Sequence, residues 1–402
     1  MMPSISTAVR GMRTWFSMRV PGLGGFYRKH LTEYQTPKNL NVWYCFGALA
    51  LILIISQFAT GVFLAIHYIP STQEAFTSVQ QTIMRDVSNG WLLRYMHTTG
   101  ASFLFIVLYL HMYRSVLYGS HRNPREIVWL LGMCLYLLII FEAFTGYVLP
   151  WGQLSFWAAK IVGTLISAVP WVGRQLSVWI IGGNIPGDAT LGRFFVIHAV
   201  VLPLIVVGLI ATHILALHQV GSTNPDGHKK SILAKNAQEY ETVGFHPYYT
   251  LKDACAASVM GCVGAGVIFF YPEAGHLFIE SGNAVPANPW ITPEQTHPPW
   301  YFSPFFAMLR AMPGQIGGMF VVTAAICLMF ILPWLDKSSS YTIRQQSLFV
   351  RCVRLLLLPC CVLGLAMLGN YEQFSVTQLY LLRGFTSVFF GILVMMPWWS
   401  RA

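Results

Sequence analysis

Charge is what this 402-residue sequence has least of: 10% of its residues are Asp, Glu, Lys or Arg, against roughly 25% in an ordinary soluble domain. Its 15 acids and 25 Lys plus Arg cannot cover a water-soluble body of this size, so most of the surface has to face lipid. A hydrophobic fraction of 55% and a mean hydropathy of +0.55 agree. A cytosolic enzyme, a secreted disulfide scaffold and a disordered tail are thereby excluded. Cysteine motifs are absent too. The eight Cys (Cys45, Cys134, Cys255, Cys262, Cys327, Cys352, Cys360 and Cys361) form neither CxxC nor CxxCH, which excludes a zinc ribbon and an ordinary c-type haem attachment. Nearly all lie in apolar runs, as small buried hydrophobes do. No repeat of solenoid length occurs. The basic N-terminal segment lacks the short apolar core and small-residue cleavage site of a removed signal peptide.

What the sequence has is long apolar runs. A hydrocarbon layer about 30 Å thick takes roughly 20 apolar residues of helix. Eight runs qualify, at about 42–68, 91–117, 127–149, 192–218, 252–271, 315–335, 348–369 and 377–398. They predict an all-α polytopic membrane protein with eight transmembrane helices. With the N-terminus placed on the cytoplasmic side, 18 of the 25 Lys and Arg fall on that side and seven on the other. This positive-inside asymmetry puts both termini on the negative side of the membrane. The net charge of +10 is thus a topology label in short clusters, not a footprint for nucleic acid. Residues 150–191, with Trp151, Trp157, Trp171 and Trp179 among Pro and Gly, predict short interfacial helices and no ninth span.

Of the 12 His, four lie deep in spans: His97 and His111 in the second, His198 and His213 in the fourth. Hydrocarbon offers such residues no partner, so each is a functional candidate. A separation of 14 residues leaves a net rotation near −40° and one of 15 about +60°, with a rise of about 21–23 Å. Each pair therefore projects from roughly one face. Two facing helices would bring one His from each to a common site at two depths, which suits two planar metal macrocycles with axial imidazoles. A hydrogen-bonded core role fits any single His; four in matched pairs favour ligands. Gly47 and Gly61 in the first span and Gly132 and Gly146 in the third are also 14 apart, notches where a flat cofactor could approach the backbone. Arg94, Arg114 and Arg193 lie near these histidines, as cations for acidic cofactor substituents would.

At these residues the chain resembles a family: cytochrome b of the respiratory cytochrome bc complex, quinol to cytochrome c oxidoreductase (ubiquinol–cytochrome c reductase, complex III). The resemblance runs through GWLLRYMHTTGAS (90–102), HMYR (111–114), TGYVLPWGQLSFW (145–157), GRFFVIH (192–198), HQVGSTNPDG (218–227), TLKDA (250–254) and PPWYFSPFFAMLRAMP (298–313). It implies a dihaem four-helix bundle made by the first four helices and two non-covalent haem b groups. His97 and His198 would bind the low-potential haem iron, His111 and His213 the high-potential one. The implied organisation is a negative-side N-terminal segment (1–41), a dihaem core (42–218), a negative-side loop (219–251) and a C-terminal quinone-site region (252–402). The negative-side quinone-reducing site would use His218, Lys252 and Asp253, with Ser222 close by. A His and an Asp can each deliver a proton to a reduced carbonyl oxygen, and a Lys can reload the acid.

The positive-side quinol-oxidising site would comprise Tyr147, the stretch after it, and Pro298, Trp300 and Tyr301. Here the chain departs from the family. Pro-Glu-Trp-Tyr is usual, and this sequence has Pro298-Pro299-Trp300-Tyr301. Proline cannot accept a proton, so Glu142, an intramembrane acid one turn before Gly146, is expected to take that role. The 15-residue spacing of the fourth-span histidines, Ala158 and Lys160 where respiratory members have Gly and Thr, and Cys45 at the place of a covalent haem all lean toward the photosynthetic cousin. A third haem at Cys45 is conceivable; the unsplit chain and the His218, Lys252 and Asp253 set favour the respiratory arrangement.

The resemblance implies bifurcated quinol oxidation (the Q cycle). One electron goes to an iron–sulfur partner and one, through the haems, to ubiquinone at the negative side, with two protons released at the positive side. A charge crossing the whole field costs about 2.3 kcal/mol per 100 mV, which the potential gap between the haems must offset. The implied partners are a Rieske iron–sulfur protein, a cytochrome c-type subunit and a second copy, in the inner (cytoplasmic) membrane of a bacterium. The rival readings are a proton-coupled transporter, with a continuous polar path, and a dihaem membrane anchor of a dehydrogenase, which would lack the 252–253 and 298–301 elements.

Overall fold

The computed structural model describes residues 11–227 and 242–401, apart from 13, 16, 295, 341 and 372. Arg10, Arg13, Lys229, Lys230 and Lys235, counted above as negative-side charges, lie outside the described residues. The apolar runs form helices α1 (Phe46–His67), α2 (Gly90–Leu117), α3 (Glu126–Val148), α4 (Asp188–Val220), α5 (Phe245–Phe270), α6 (Gln315–Phe330), α7 (Leu348–Gly369) and α8 (Val376–Val394). Seven are long and apolar enough to cross a membrane; α6, at 16 residues, is shorter.

The expectation of one continuous helix over 315–335 is corrected here. Pro333 has no N–H with which to continue the ladder, so α6 stops at Phe330 and a separate turn, Leu332–Leu335, follows. The carbonyl that Pro333 leaves unpaired is Met329 O, and the Trp129 indole of α3 donates to it at 2.8 Å. Proline also shapes α4 and α7. Each contains a five-residue π turn, Ile197–Val201 and Val353–Leu357, and each turn is followed two residues later by a proline, Pro203 or Pro359. A proline inside a helix clashes with the carbonyl four residues back, and a π turn is one way to relieve that.

The N-terminal and C-terminal halves share one core. An apolar cluster runs from Leu49 and Leu53 through Phe105, Met133 and Tyr136 to Tyr301, Met308, Leu365 and Leu382. At the end where α2 finishes and α3 begins, the halves are joined by a buried polar lock. Asp336 receives Arg354 Nη2 at 2.9 Å and His121 Nε2 at 3.0 Å, and Arg354 Nη1 caps Val116 O at 2.7 Å. A two-stranded antiparallel ribbon, β1 (Gln35–Pro37) with β2 (Thr242–Gly244), lies at the same end, Thr36 opposite Val243.

The stretch after α3 folds as two short helices, Gln153–Ser167 and Gly173–Ile181, without a further span. Ser177 Oγ donates to Gly163 O at 2.8 Å, so the two pack where glycine leaves room. Trp171 is 95% and Trp179 73% exposed, as aromatic side chains at a membrane interface are.

Candidate functional site

The four span histidines meet as two pairs. The rings of His97 (α2) and His198 (α4) have centroids 6.2 Å apart, and those of His111 (α2) and His213 (α4) 6.5 Å. Metal–imidazole bonds of about 2.0 Å on each side, plus the half-width of each ring, put two axial imidazoles about 6 Å apart, and both spacings match. Among the described residues no group of three or more His, Cys, Asp and Glu could hold a bare metal ion. Each pair can therefore supply only axial ligands to a metal that brings its own equatorial ones.

The 15-residue spacing in α4 is reconciled by the π turn at Ile197–Val201, which begins one residue before His198. An i→i+5 turn takes up one extra residue, so 15 residues cover the helical phase that 14 cover in α2. The glycines have a more specific role than general thinness. A Cβ at Gly47 would meet His111 Cε1 at 3.2 Å, at Gly61 His97 at 3.3 Å, at Gly132 His213 at 3.3 Å, and at Gly146 His198 at 2.4 Å. Each notch seats the edge of one of the four histidine rings.

Around the rings, Thr60 Oγ1 lies 2.9 Å from His97 Nδ1 and itself donates to Ser56 O at 2.8 Å, so it accepts from the imidazole N–H. His198 Nδ1 donates to Glu142 O at 2.9 Å, with the Glu142 carboxylate at 3.2 Å. These contacts orient the rings and hold their tautomer. Thr60 carried no signal in the sequence beyond lying one residue from Gly61. Arg114 reaches Ser120 Oγ at 3.1 Å, and its Nε is buried without a hydrogen-bond partner, a donor suited to an acidic substituent. Arg94 is buried. Arg193 is exposed and caps Trp179 O, so the structure does not bring it to the His97–His198 pair.

Near the end of α4 His218 Nδ1 pairs with His30 Nδ1 at 2.8 Å, and the ring stacks on Tyr34 at 4.2 Å. Ser222 lies beside the Tyr34 hydroxyl, which is buried without a hydrogen bond of normal geometry. Neither His30 nor Tyr34 stood out in the sequence. Lys252 Nζ sits over the rings of Tyr248 and Tyr249 at 4.4 and 5.1 Å. Asp253 lies beside the free thiol of Cys45. His218 is held by His30 and Tyr34, whereas Lys252 and Asp253 sit against Tyr248, Tyr249 and Cys45, so a molecule of some width would be needed to touch both sets.

In the segment between α5 and α6, Tyr301 stacks on Phe105 at 4.1 Å and 3°, and its carbonyl accepts from Tyr109 Oη at 2.6 Å. Trp300 Nε1 donates to Ser102 Oγ at 3.3 Å. Pro298 is partly buried and Pro299 buried. The Tyr147 hydroxyl is buried and makes no hydrogen bond of normal geometry. The acid and amide beside it are Glu280 and Asn283, neither of which the sequence singled out.

These features define a multi-pass helical membrane protein with two facing histidine pairs at two depths among α1–α4. Comparison with known proteins narrows the class. The family signature "Cytochrome b/b6/petB" matches residues 31–221 and "Cytochrome b(C-terminal)/b6/petD" residues 286–391. The chain belongs to the cytochrome b family, whose members carry b-type haem. It is 45% identical over 396 residues to cytochrome b of Allochromatium vinosum, covering 96% of this chain and 94% of that one. It is 43% identical to cytochrome b of Rhodospirillum rubrum, covering 91% and 88%. Among solved structures it resembles a chain of a hyperthermophilic respiratory complex III, with a TM-score of 0.86, 32% identity, and coverage of 96% and 97%.

Proposed function

We propose that this chain is the cytochrome b subunit of a quinol:cytochrome c oxidoreductase, holding two haem b groups and two quinone sites and working with a Rieske iron–sulfur protein, a cytochrome c-type subunit and a second copy of itself. The observation that carries the reading is the pair of ring spacings, 6.2 and 6.5 Å, each backed by glycines on α1 and α3. His97 with His198 would hold one haem and His111 with His213 the other. The bound haems supply one-electron transfer across the membrane. The residues of the chain handle protons and position quinones.

At the negative side His218 and Asp253 can each give a proton to a reduced quinone oxygen, and Lys252 can reload the acid. At the positive side Tyr147, Trp300 and Tyr301 line the place of quinol oxidation. The proposed location is a bacterial inner membrane, with both termini on the cytoplasmic side. The test is a reduced-minus-oxidised spectrum of the purified protein with a haem stain after denaturing electrophoresis. Two b-type haems per chain and no stain at the chain's mass are expected, because Cys45 carries no covalent haem. A chain purified without haem would refute the assignment, and a stained band would refute the Cys45 statement.

A further inference from the structure

The loop between α5 and α6 brings an acid to the quinol-oxidising residues. Glu280 is 6% exposed and immediately precedes a 3-10 turn, Ser281–Ala284, in which Asn283 N donates to Glu280 O at 3.0 Å. The turn is pinned to the segment after α3. Gln153 N donates to Val285 O at 2.9 Å, Ala287 N to Trp151 O at 3.1 Å, and Ser155 N to Asn283 Oδ1 at 2.8 Å. Ser155 Oγ donates to Tyr147 O at 2.7 Å, which ties the same residue to α3. Glycine permits the close approach: a Cβ at Gly152 would fall 2.7 Å from Asn283 Cα, and one at Gly282 2.7 Å from Leu154 Cγ. Since Asn283 Oδ1 is taken by Ser155, its Nδ2 is the end left to face Tyr147 and Glu280.

Building on the functional reading above, we propose that Glu280 is the proton acceptor of quinol oxidation, supplying from the loop the carboxylate that Pro299 cannot. A quinol losing two electrons, one to the iron–sulfur partner and one to the nearer haem, also loses two protons. In the step assigned here one quinol O–H bond breaks and a carboxyl O–H forms on Glu280, which afterwards releases its proton to water on the positive side. The other proton leaves with the electron taken by the iron–sulfur partner. A substrate hydroxyl that reaches this acid, beside Tyr147, would have a carboxylate to take its proton. The expectation had placed this role on Glu142, but the carboxylate of Glu142 turns to His198 Nδ1 at 3.2 Å, whereas the acid beside Tyr147 is Glu280.

Burial pushes the Glu280 carboxyl up to about 7, tempered by its own backbone N–H, Asn283, Tyr147 and the charge of Arg94. The titratable and charged groups that face it are Arg94 from α2, Tyr147 from α3, and Tyr301. An acceptor works only when ionised, so turnover limited by this group falls as pH drops through about 7.

The test is Glu280→Gln in the complete complex, assayed for quinol-dependent cytochrome c reduction across pH alongside haem content. The expected result is normal haem, a fall in kcat of about 100-fold, and loss of the acid limb. Reduction of the haems through the negative-side site should be unchanged. Glu280→Asp should keep turnover within about tenfold of the wild type, with the limb displaced. Glu280→Gln turning over within about twofold of the wild type would overturn the proposal, as would loss of the acid limb in Glu142→Gln but not in Glu280→Gln. If Glu280→Gln does not assemble, Glu280→Asp decides, and an unmoved limb overturns the assignment. A wild-type complex without quinol-dependent activity would overturn the functional reading itself, and this proposal with it.

Discussion

Gly146→Ala separates a ligand-seating glycine from a merely small residue. The new Cβ would lie 2.4 Å from His198 Cε1, 2.8 Å from Nδ1 and 2.9 Å from Nε2. Carbon contacts are comfortable at about 3.5–4.0 Å, so the ring or α3 must shift by about 1 Å. His198 cannot slide aside freely, because its Nδ1 is held by Glu142 O at 2.9 Å. Metal–ligand distances tolerate about 0.2 Å, so a shift of this size breaks ligation. An overpacking cost of about 1–3 kcal/mol amounts to about 5- to 150-fold weaker retention of the haem at that pair. At Gly47, Gly61 and Gly132 the contacts would be 3.2–3.3 Å, which a few tenths of an ångström relieve. Haem-to-protein ratios and redox titration of the purified complex should therefore show Gly146→Ala losing the His97–His198 haem and keeping the other, with both haems retained in Gly47→Ala, Gly61→Ala and Gly132→Ala. A Gly146→Ala complex with both haems at unchanged potentials would refute the reasoning, and so would equal damage at all four positions.

An alanine inserted after Leu209, beyond the π turn of α4, rotates His213 by about 100° relative to His198 and should remove the His111–His213 haem alone; spectra with both haems present would contradict the phase argument. Asp336→Asn leaves Arg354, whose side chain is 1% exposed, without its counter-charge, and should cost about 3–5 kcal/mol, read as a lower thermal midpoint of the complex. Burial alone would raise the Asp336 carboxyl, but the hydrogen bond from His121 and the charges of Arg354, His121 and Arg122 hold it far below the usual carboxylate range. Its stabilisation is thus fully present above the ordinary value of about 3.9 and is lost only as pH falls below that toward the folded value, so the Asn variant should sit below the wild type by the same margin throughout mild acid. Ala158 adds a methyl where methoxyacrylate-type inhibitors lie against a glycine backbone in the family, so sub-micromolar inhibition of the complex by such a compound would contradict the reading.

The helices and the two histidine pairs were legible because the bilayer imposes length and the α-helix imposes phase, and both leave marks in one dimension. His97 with Gly61 and His198 with Gly146 could be suspected separately from their spacings. That each glycine faces one particular ring depends on how α1 packs on α2 and α3 on α4, which no single-helix pattern contains. The departures had a local cause that the sequence did display. Pro333 shortens α6, and Pro203 accompanies the π turn that absorbs the extra residue between His198 and His213. The proposed quinone sites were less legible because loops and the N-terminal segment build them. His30 and Tyr34 reach His218 from residues far earlier in the chain, and Glu280 reaches Tyr147 only because Trp151, Gln153 and Ser155 pin its turn. Glu142, an acid inside an apolar helix, is conspicuous in sequence, whereas Glu280, an acid in an irregular loop, reads as solvated, although it is 6% exposed. In a membrane chain that distinction has a physical origin. Electron carriers need fixed spacing and are held by helices, while a group that takes a proton and passes it to water has to sit where the helix ends and the loop begins.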